Sequence, residues 1–343
     1  MRAKINELIL KDIKKTFKDF VDPHNRMLFF IPQNGLIVRM VAYKFQLEKK
    51  YFIEAEGKPF MLEYKEIPLL KGDEILLNSE DRKIRFISKE ITTEIEPSYA
   101  IDLEEIFAFD EKDFIKVGNL PLTLVKDTKV IWECVSKERD NLKNVHFEFT
   151  EKGVEIIASD GYWLGYLQSN ISIGNLKINI PPKILKVMSF STYDFEIWED
   201  KEYLKLQNTE LKIIFSKETE YPNYHSVFPQ EFKYIFKFPD DFIKSLKYLS
   251  PNKPKKDSLL IFDFPNEKIL LKSIDRTIEV KFPFKTYLKS DNYPNFSIAF
   301  DFSYIYYIAS LKLTGFFYLN SNENAAIFDF LNLKFLVMPQ KLD

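Results

Sequence analysis

The stretch Asn144 to Leu167, NVHFEFTEKGVEIIASDGYWLGYL, decides how the rest of the chain is read. Val145, Phe147 and Phe149 alternate with His146, Glu148 and Thr150, the period-two pattern of a strand with one buried face. Lys152-Gly153 supplies a tight turn, because glycine accepts positive φ without steric cost. Val154, Ile156 and Ala158 alternate back along a second strand. It ends in a further turn signal, Ser159-Asp160-Gly161, followed by the apolar Tyr162, Trp163 and Leu164. Trp163 has two readings at this point: a core anchor for the hairpin, or the lip of a surface pocket.

The hairpin recurs. Met27 to Ile31 leads through Asn34-Gly35 into Leu36 to Tyr43, and Leu259 to Phe264 leads through Asn266-Glu267 into Ile269 to Asp275. The turns at Gly35, Gly153 and Glu267 are spaced by roughly 115 residues, a domain-length internal repeat. One architecture used three times is therefore expected, with boundaries at 1–112, 113–232 and 233–343. Each unit reads as helix, hairpin, strands, helix, strands, which is an α+β pattern.

The helices carry lysines. From Leu10 to Phe20, Leu10, Ile13, Phe17 and Phe20 form an apolar stripe, while Lys11, Lys14, Lys15 and Lys18 form another. A helix near Val125 to Lys137 turns Ile131, Cys134 and Val135 inward and Lys126 and Lys129 away. Pro181-Pro182 starts a helix with Lys183 and Lys186 off its apolar side, and Pro239 to Leu249 places Lys244 and Lys247 likewise. Such stripes are either solvated surface or faces turned towards a phosphate backbone. Asp301 is placed to cap a helix from Phe302 to Leu311. Pro97 and the acidic run Asp102 to Glu111 read as a linker, and Tyr221 to Pro229 as a rigid aromatic connector.

Composition narrows the function. The 49 Lys and Arg against 51 Asp and Glu leave a net charge of −2, so a chain gripping nucleic acid by many phosphate contacts is not indicated. The single cysteine, Cys134, excludes an internal disulfide and a multi-cysteine zinc site; on the apolar side of a helix it reads as a buried structural thiol. His24, His146 and His225 lie far apart in sequence, with no spacing that brings them together on a metal. No phosphate-binding loop, dinucleotide fingerprint, HExxH or GxSxG occurs. Asp160 is a lone turn carboxylate, and Asp240-Asp241 are simplest as helix caps. No enzyme, metal or cofactor is expected. No apolar run reaches membrane-spanning length and no signal-peptide core is present, so a cytoplasmic protein is expected.

Several of these stretches together resemble a known family, the bacterial DNA polymerase sliding clamp, the beta subunit of the replicative polymerase. Ala158-Ser159-Asp160-Gly161-Tyr162-Trp163-Leu164-Gly165 is similar to the family's Ala-Thr-Asp-Gly-His-Arg-Leu-Ala. Ile180-Pro181-Pro182-Lys183 matches its Val-Pro helix start, and Tyr221-Pro222-Asn223-Tyr224 through Pro229 matches its Phe-Pro-Asp-Tyr connector. Phe300-Asp301-Phe302-Ser303-Tyr304 resembles Phe-Asn-x-x-Tyr, and Val337-Met338-Pro339-Gln340-Lys341-Leu342 resembles the C-terminal Val-Met-Pro-x-Arg-Leu. These motifs keep the family's order over Val125 to Leu342; the first unit matches in pattern only.

The resemblance implies three tandem clamp-type domains, with sheets outside and helices lining a ring closed by a head-to-tail homodimer. Duplex DNA would thread the ring, faced by Lys11, Lys14, Lys15, Lys18, Lys126, Lys129, Lys183, Lys186, Lys244 and Lys247. Enclosure needs little phosphate affinity, in keeping with the charge. The resemblance also implies a pocket between the second and third domains for short peptides of polymerases, the clamp loader and repair proteins. Its matching positions are Phe149, Ser159, Gly161, Tyr162, Trp163, Leu164, Pro222, Ser226, Val227, Ala325, Leu336, Val337 and Met338. Tyr162-Trp163 stands where the family has His-Arg, which leaves the pocket more aromatic and less basic. The dimer contact would use Ile91, Ile95, Tyr99, Tyr248 and Leu249. Glu63 to Leu70 is short and holds Pro68, which breaks the first unit's second helix. Two other readings compete: a clamp-like paralogue or mobile-element clamp serving a different polymerase, and a β-rich binding protein that never meets DNA.

Overall fold

A computed structural model of the chain describes residues 1–24, 26–72, 74–80, 83–89, 91–96, 109–217, 220–237, 246, 258–272, 277–281 and 294–342. In chain order its first elements are β1 (Arg2–Ile5), α1 (Glu7–Phe17), β2 (Met27–Pro32), β3 (Leu36–Ala42), β4 (Phe45–Tyr51), β5 (Ala55–Glu56), β6 (Phe60–Glu63), β7 (Ile75–Glu80), β8 (Lys83–Ile87) and β9 (Thr92–Ile95). Next come β10 (Ile115–Leu120), α2 (Leu122–Asp127), β11 (Val145–Thr150), β12 (Gly153–Ser159), β13 (Trp163–Ser169), β14 (Leu176–Ile180), α3 (Pro182–Met188), β15 (Phe195–Glu199), β16 (Tyr203–Gln207) and β17 (Leu211–Ser216). The last are β18 (Tyr234–Lys237), β19 (Leu259–Asp263), β20 (Lys268–Lys272), β21 (Thr277–Lys281), β22 (Ser297–Asp301), α4 (Phe302–Ser310), β23 (Phe316–Leu319), β24 (Ala326–Phe330) and β25 (Leu333–Val337).

These strands form four antiparallel sheets, ordered β5-β1-β7-β8-β9, β10-β15-β16-β17-β4-β3-β2-β6, β14-β11-β12-β13-β25-β24-β23-β18 and β21-β20-β19-β22. One connectivity is used three times. The orders β6-β2-β3-β4, β14-β11-β12-β13 and β22-β19-β20-β21 are the same meander, and β1-β7-β8-β9, β10-β15-β16-β17 and β18-β23-β24-β25 are its companion. The repeat seen in the sequence is thus a repeat of topology. Its turns are held as the residues require: Asn34 and Gly35 have φ of 49° and 126°, and Gly153 has 143°.

By contacts the chain divides into two compact units, Met1–Lys126 with Pro182–Glu218 and Asp127–Pro181 with Thr219–Asp343. In the first, Leu10, Ile13 and Phe17 are buried along one stripe of α1, and Asn6 caps the helix by accepting from the Ile9 amide at 2.9 Å. Tyr51 at the end of β4 donates to Asp12 at 2.8 Å and Tyr64 to the Lys14 carbonyl at 2.9 Å, which pins α1.

In the second unit, a 3-10 segment, Thr128–Cys134, lies against β13. A Cβ on Gly165 would come within 2.6 Å of Ile131 Cγ2 and 2.9 Å of Cys134 Sγ, so only glycine permits this approach. Cys134 is buried, and burial pushes its thiol pKa well up, as a structural thiol requires.

Several expectations are corrected. The helix expected at Val125 to Lys137 is α2 followed by the 3-10 segment. Its start is held by a distant cap, the Asp194 carboxylate accepting from the Leu122 amide at 2.8 Å. The helix expected from Leu10 begins at Glu7 and ends in a 3-10 turn, Lys18–Phe20. Glu63 to Leu70 keeps one turn, Tyr64–Glu66. Each repeat also opens with a strand, β1, β10 or β18, that the sequence reading omitted; these are four to six residues long, and the register of β10 shifts between Lys116 and Gly118. Glu111 is no free linker residue: it pairs with Lys205 at 2.9 Å and Lys212 at 2.8 Å. Of the helix expected at Pro239 to Leu249 only Leu246 is described, helical and buried; the rest of it and most of the linker, 97–108, lie outside the described residues.

Candidate functional site

The Ser159 to Trp163 turn is a self-satisfied unit. Ser159 Oγ accepts from the Gly161 amide at 3.0 Å and donates to the Trp163 carbonyl at 2.8 Å. Asp160 Oδ1 accepts from the Tyr162 and Trp163 amides at 2.8 and 3.0 Å, and Oδ2 accepts from the Tyr304 hydroxyl at 2.8 Å. Asp160 is therefore a structural clasp, not a candidate acid. Gly161 sits at φ 95°, and a Cβ there would run into the Arg139 guanidinium, which lies 5.3 Å from the Tyr162 ring centre.

Sheet register then sorts the candidate residues onto two faces, since directly paired antiparallel residues point the same way. Ser159 opposes Leu164, Leu164 opposes Leu336, and Leu336 opposes Ile327. This face carries a buried cluster of Ile157, Leu164, Tyr224, Ala325, Ile327 and Leu336, against which Tyr166, Tyr221, Phe228, Phe232 and Tyr318 pack. The connector thus lies on the sheet, supplying Tyr221, Tyr224 and Phe228.

Trp163 opposes Val337 and faces the other way. It is 4% exposed, stacked on Tyr304 at 4.7 Å with Phe335 beyond at 6.1 Å, so its core-anchor reading describes its placement. Phe149 is likewise buried on that opposite face, paired with Val154 and beside Phe147. Phe149, Trp163 and Val337 therefore do not share the face that holds Leu164, Ala325 and Leu336. Alternation along β11, β13 and β25 decides this, and motif matching does not see it.

The rim is exposed. Tyr162 is 52% exposed, and Gly161, Pro222, Ser226, Val227 and Met338 also reach solvent. The Met338 amide donates to the Tyr162 carbonyl at 2.8 Å, fixing these two side by side. A buried apolar cluster with an exposed aromatic and aliphatic rim has the composition that suits apolar side chains of an extended peptide.

A polar network edges the cluster. The Tyr224 hydroxyl lies 2.9 Å from Glu148 Oε2 and 2.8 Å from Glu155 Oε2. Burial and these two carboxylates raise the Tyr224 pKa well above the phenol range. Glu148 also holds Lys177 at 2.7 Å; burial opposes its charge, but Lys177 and Tyr224 more than offset this and keep its pKa below the usual carboxylate range. His146 stacks on Tyr221 at 4.8 Å, and burial lowers its pKa. Two histidines do converge here: His146 and His225 flank Tyr224 at 6.1 and 4.1 Å between ring centres. Among the described residues no group of three His, Cys, Asp or Glu is placed to hold a metal. Arg139 and Tyr224 were not singled out as site residues from sequence. Tyr224 stood inside the quoted connector, whereas Arg139 carried no motif.

The lysines fall into sets. In the first unit α1 and α3 are neighbours: Lys15 lies 3.5 Å from the Phe190 ring centre, Lys183 lies 5.2 Å from that of Phe20, and Lys186 pairs with Asp19 at 2.6 Å. Lys11 pairs with Glu7, and Lys14 is half-buried near Tyr64. Lys18, Lys126 and Lys129 are exposed with no carboxylate partner among the described residues. Lys244 and Lys247, and of the dimer residues Tyr99, Tyr248 and Leu249, lie outside the described residues. Ile91 is exposed and Ile95 half-buried at the strand β9.

No helix of the described residues is long and apolar enough to cross a membrane. No protein-family model matches the chain, and no curated protein matches it. Solved structures do. The DNA polymerase III beta subunit of Thermotoga maritima superposes with a TM-score of 0.81 at 18% identity, covering 100% of both chains. The Helicobacter pylori beta clamp bound to a DNA ligase peptide gives 0.75 at 15% identity over 99% of this chain and 100% of that one. The DNA polymerase III subunit beta of Pseudomonas aeruginosa gives 0.77 at 13% identity over 100% of both. The likeness is one of fold, and it runs from end to end: the chain has the fold of the bacterial DNA polymerase III beta subunit, the sliding clamp.

Proposed function

We propose that this chain is a DNA sliding clamp, a non-catalytic ring that encloses duplex DNA and tethers a replicative polymerase in the cytoplasm. The observation that carries the reading is the pair of strands left over by the repeat. Both eight-stranded sheets are made by one junction type, β4 with β17 and β13 with β25. In the threefold pattern β21 is the counterpart of β4 and β13, and β9 of β17 and β25. Among the described residues both are edge strands of their sheets, and an unpaired edge is a template for another chain. Pairing β21 of one copy with β9 of a second, twice, closes a head-to-tail dimer of six domains, bounded in each chain at 1–112, 113–232 and 233–343. Ile91 and Ile95 stand at that edge. The lysine-bearing helices α1, α2 and α3 would face the DNA. The Leu164, Ala325 and Leu336 floor with its Tyr162, Val227 and Met338 rim would take peptides of the polymerase, loader and repair proteins. Sedimentation should give the mass of two chains, and Ile95→Pro at β9 should give one; a wild-type monomer overturns the reading.

A second reading, a clamp serving another polymerase, is favoured by Tyr162, an exposed aromatic at the rim lying against the Arg139 guanidinium. Peptides from replicative polymerase tails should then fail to bind while the dimer and the ring persist.

A further inference from the structure

Glu148 and Glu155 are direct cross-strand partners, a placement in which like charges oppose each other and destabilise a sheet. Glu148 has Lys177, and Glu155 has Tyr166, whose pKa burial and Glu155 push up, with His225 Nε2 at 3.8 Å. Each of these, like His146 Nε2 at 3.8 Å from Glu148, is placed against one acid of the pair. The Tyr224 hydroxyl lies within hydrogen-bond distance of both. Its ring belongs to the buried apolar cluster, so one side chain joins that floor to the acid pair. Tyr224 is also the residue on which the 3-10 turn His225–Val227 is built, since the Val227 amide donates to the Tyr224 carbonyl at 3.3 Å and the Phe228 amide to the His225 carbonyl at 3.4 Å.

We propose that Tyr224 is the positioning residue of the candidate groove: its hydroxyl, shared by the repelling pair Glu148 and Glu155, anchors the connector that holds Ser226 and Val227 at the rim. The proposal deepens the peptide-groove reading and names what keeps that groove formed. A phenol has one proton for two carboxylates, so the anchor works by screening two charges as well as by one hydrogen bond. Removing the hydroxyl leaves the acids facing each other and frees the connector; removing one charge relieves the repulsion without the hydroxyl.

Amide exchange at Val227 and Phe228 in the full-length chain tests this. Tyr224→Phe keeps the ring in the cluster, and protection of both amides should fall about tenfold, the size of one charged hydrogen bond. Adding Glu155→Gln should restore part of the protection, because it removes the repulsion between the two acids but not the lost hydrogen bond. Unchanged exchange in Tyr224→Phe overturns the proposal. So does loosening that Glu155→Gln leaves wholly unrescued, which would show that repulsion between the two acids plays no part. Titration of the wild-type chain with a labelled DNA ligase clamp-binding peptide tests the groove itself. If the wild type fails to bind, the groove reading falls while the exchange result still decides the anchor.

Discussion

The two eight-stranded sheets share a topology and differ in what lies on one face. In the second unit, the junction row is Leu164, Leu336 and Ile327, covered by Tyr224 and Phe228 of a connector. The equivalent row in the first unit, counted along the β4 to β17 junction, is Gln46, Ile214 and Lys205. Beside it, Arg39 opposes Glu48, and Glu48 opposes Lys212, with Arg39 and Glu48 paired at 2.8 Å. The linker that reaches this face is tied to it through charge. Lys205 is 5% exposed, held by Glu111 and lying 4.6 and 4.9 Å from the Trp198 and Phe114 ring centres. One backbone plan thus yields an apolar floor in one place and a filled ionic seam in the other. Only the first offers an apolar surface to an apolar partner, because the second spends its charged groups on one another.

The comparison can be broken by substitution. The largest effect is expected from Glu111→Ala. It strips a near-buried ammonium of its carboxylate, a change that costs about 3 kcal/mol when one partner of a buried pair is removed. Urea unfolding read at Trp198 should shift to lower denaturant, with no shift at Trp163. Making the apolar floor resemble the seam comes next. Leu164→Gln places an unpartnered amide in the cluster and should cost about 2 kcal/mol, with the shift now at Trp163. The reverse exchange is smaller and opposite in sign. Gln46 is buried with its Oε1 unpartnered, so Gln46→Leu should stabilise the first unit by about 1 kcal/mol.

Acid should separate the units by a subtler margin. Burial holds His146 neutral and its folded pKa below 6.5, so the unfolded chain takes up the proton more readily and the second unit loses stability as pH falls below that value. In the first unit, hydrogen bonds from Lys116, Gln207 and Trp198 hold Glu196 down at about 2, against an ordinary 4.5. Its contribution is complete above 4.5 and is lost only as pH falls from there towards 2. Urea midpoints between pH 7 and 5 should therefore drop at Trp163 before they drop at Trp198.

Much of this was legible in the residues. The three hairpins, the Pro182 and Asp301 helix starts and the apolar stripe of α1 are local signals, and local chemistry makes them. The face assignment was not legible from motif matching, which grouped Phe149, Trp163 and Val337 with Leu164 and Leu336 although strand alternation turns them apart. Nor was the distant cap of α2 by Asp194, because the two residues meet only after the sheet has formed. Arg139 carried no signal at all: its place against Gly161 follows from a glycine 22 positions later in the chain, which sequence spacing does not reveal. The acid pair Glu148 and Glu155 could have been found, since the hairpin register at Gly153 sets them opposite each other, and opposed acids call for a donor.

The central claim is enclosure, and topology tests it most directly. The chain is loaded on nicked circular DNA and washed at a salt concentration that removes phosphate-bound protein, and the circle is then cut once. The account predicts retention before the cut and release after it, as rings slide off the ends. Equal retention on circular and linear DNA, or none on either, would contradict it.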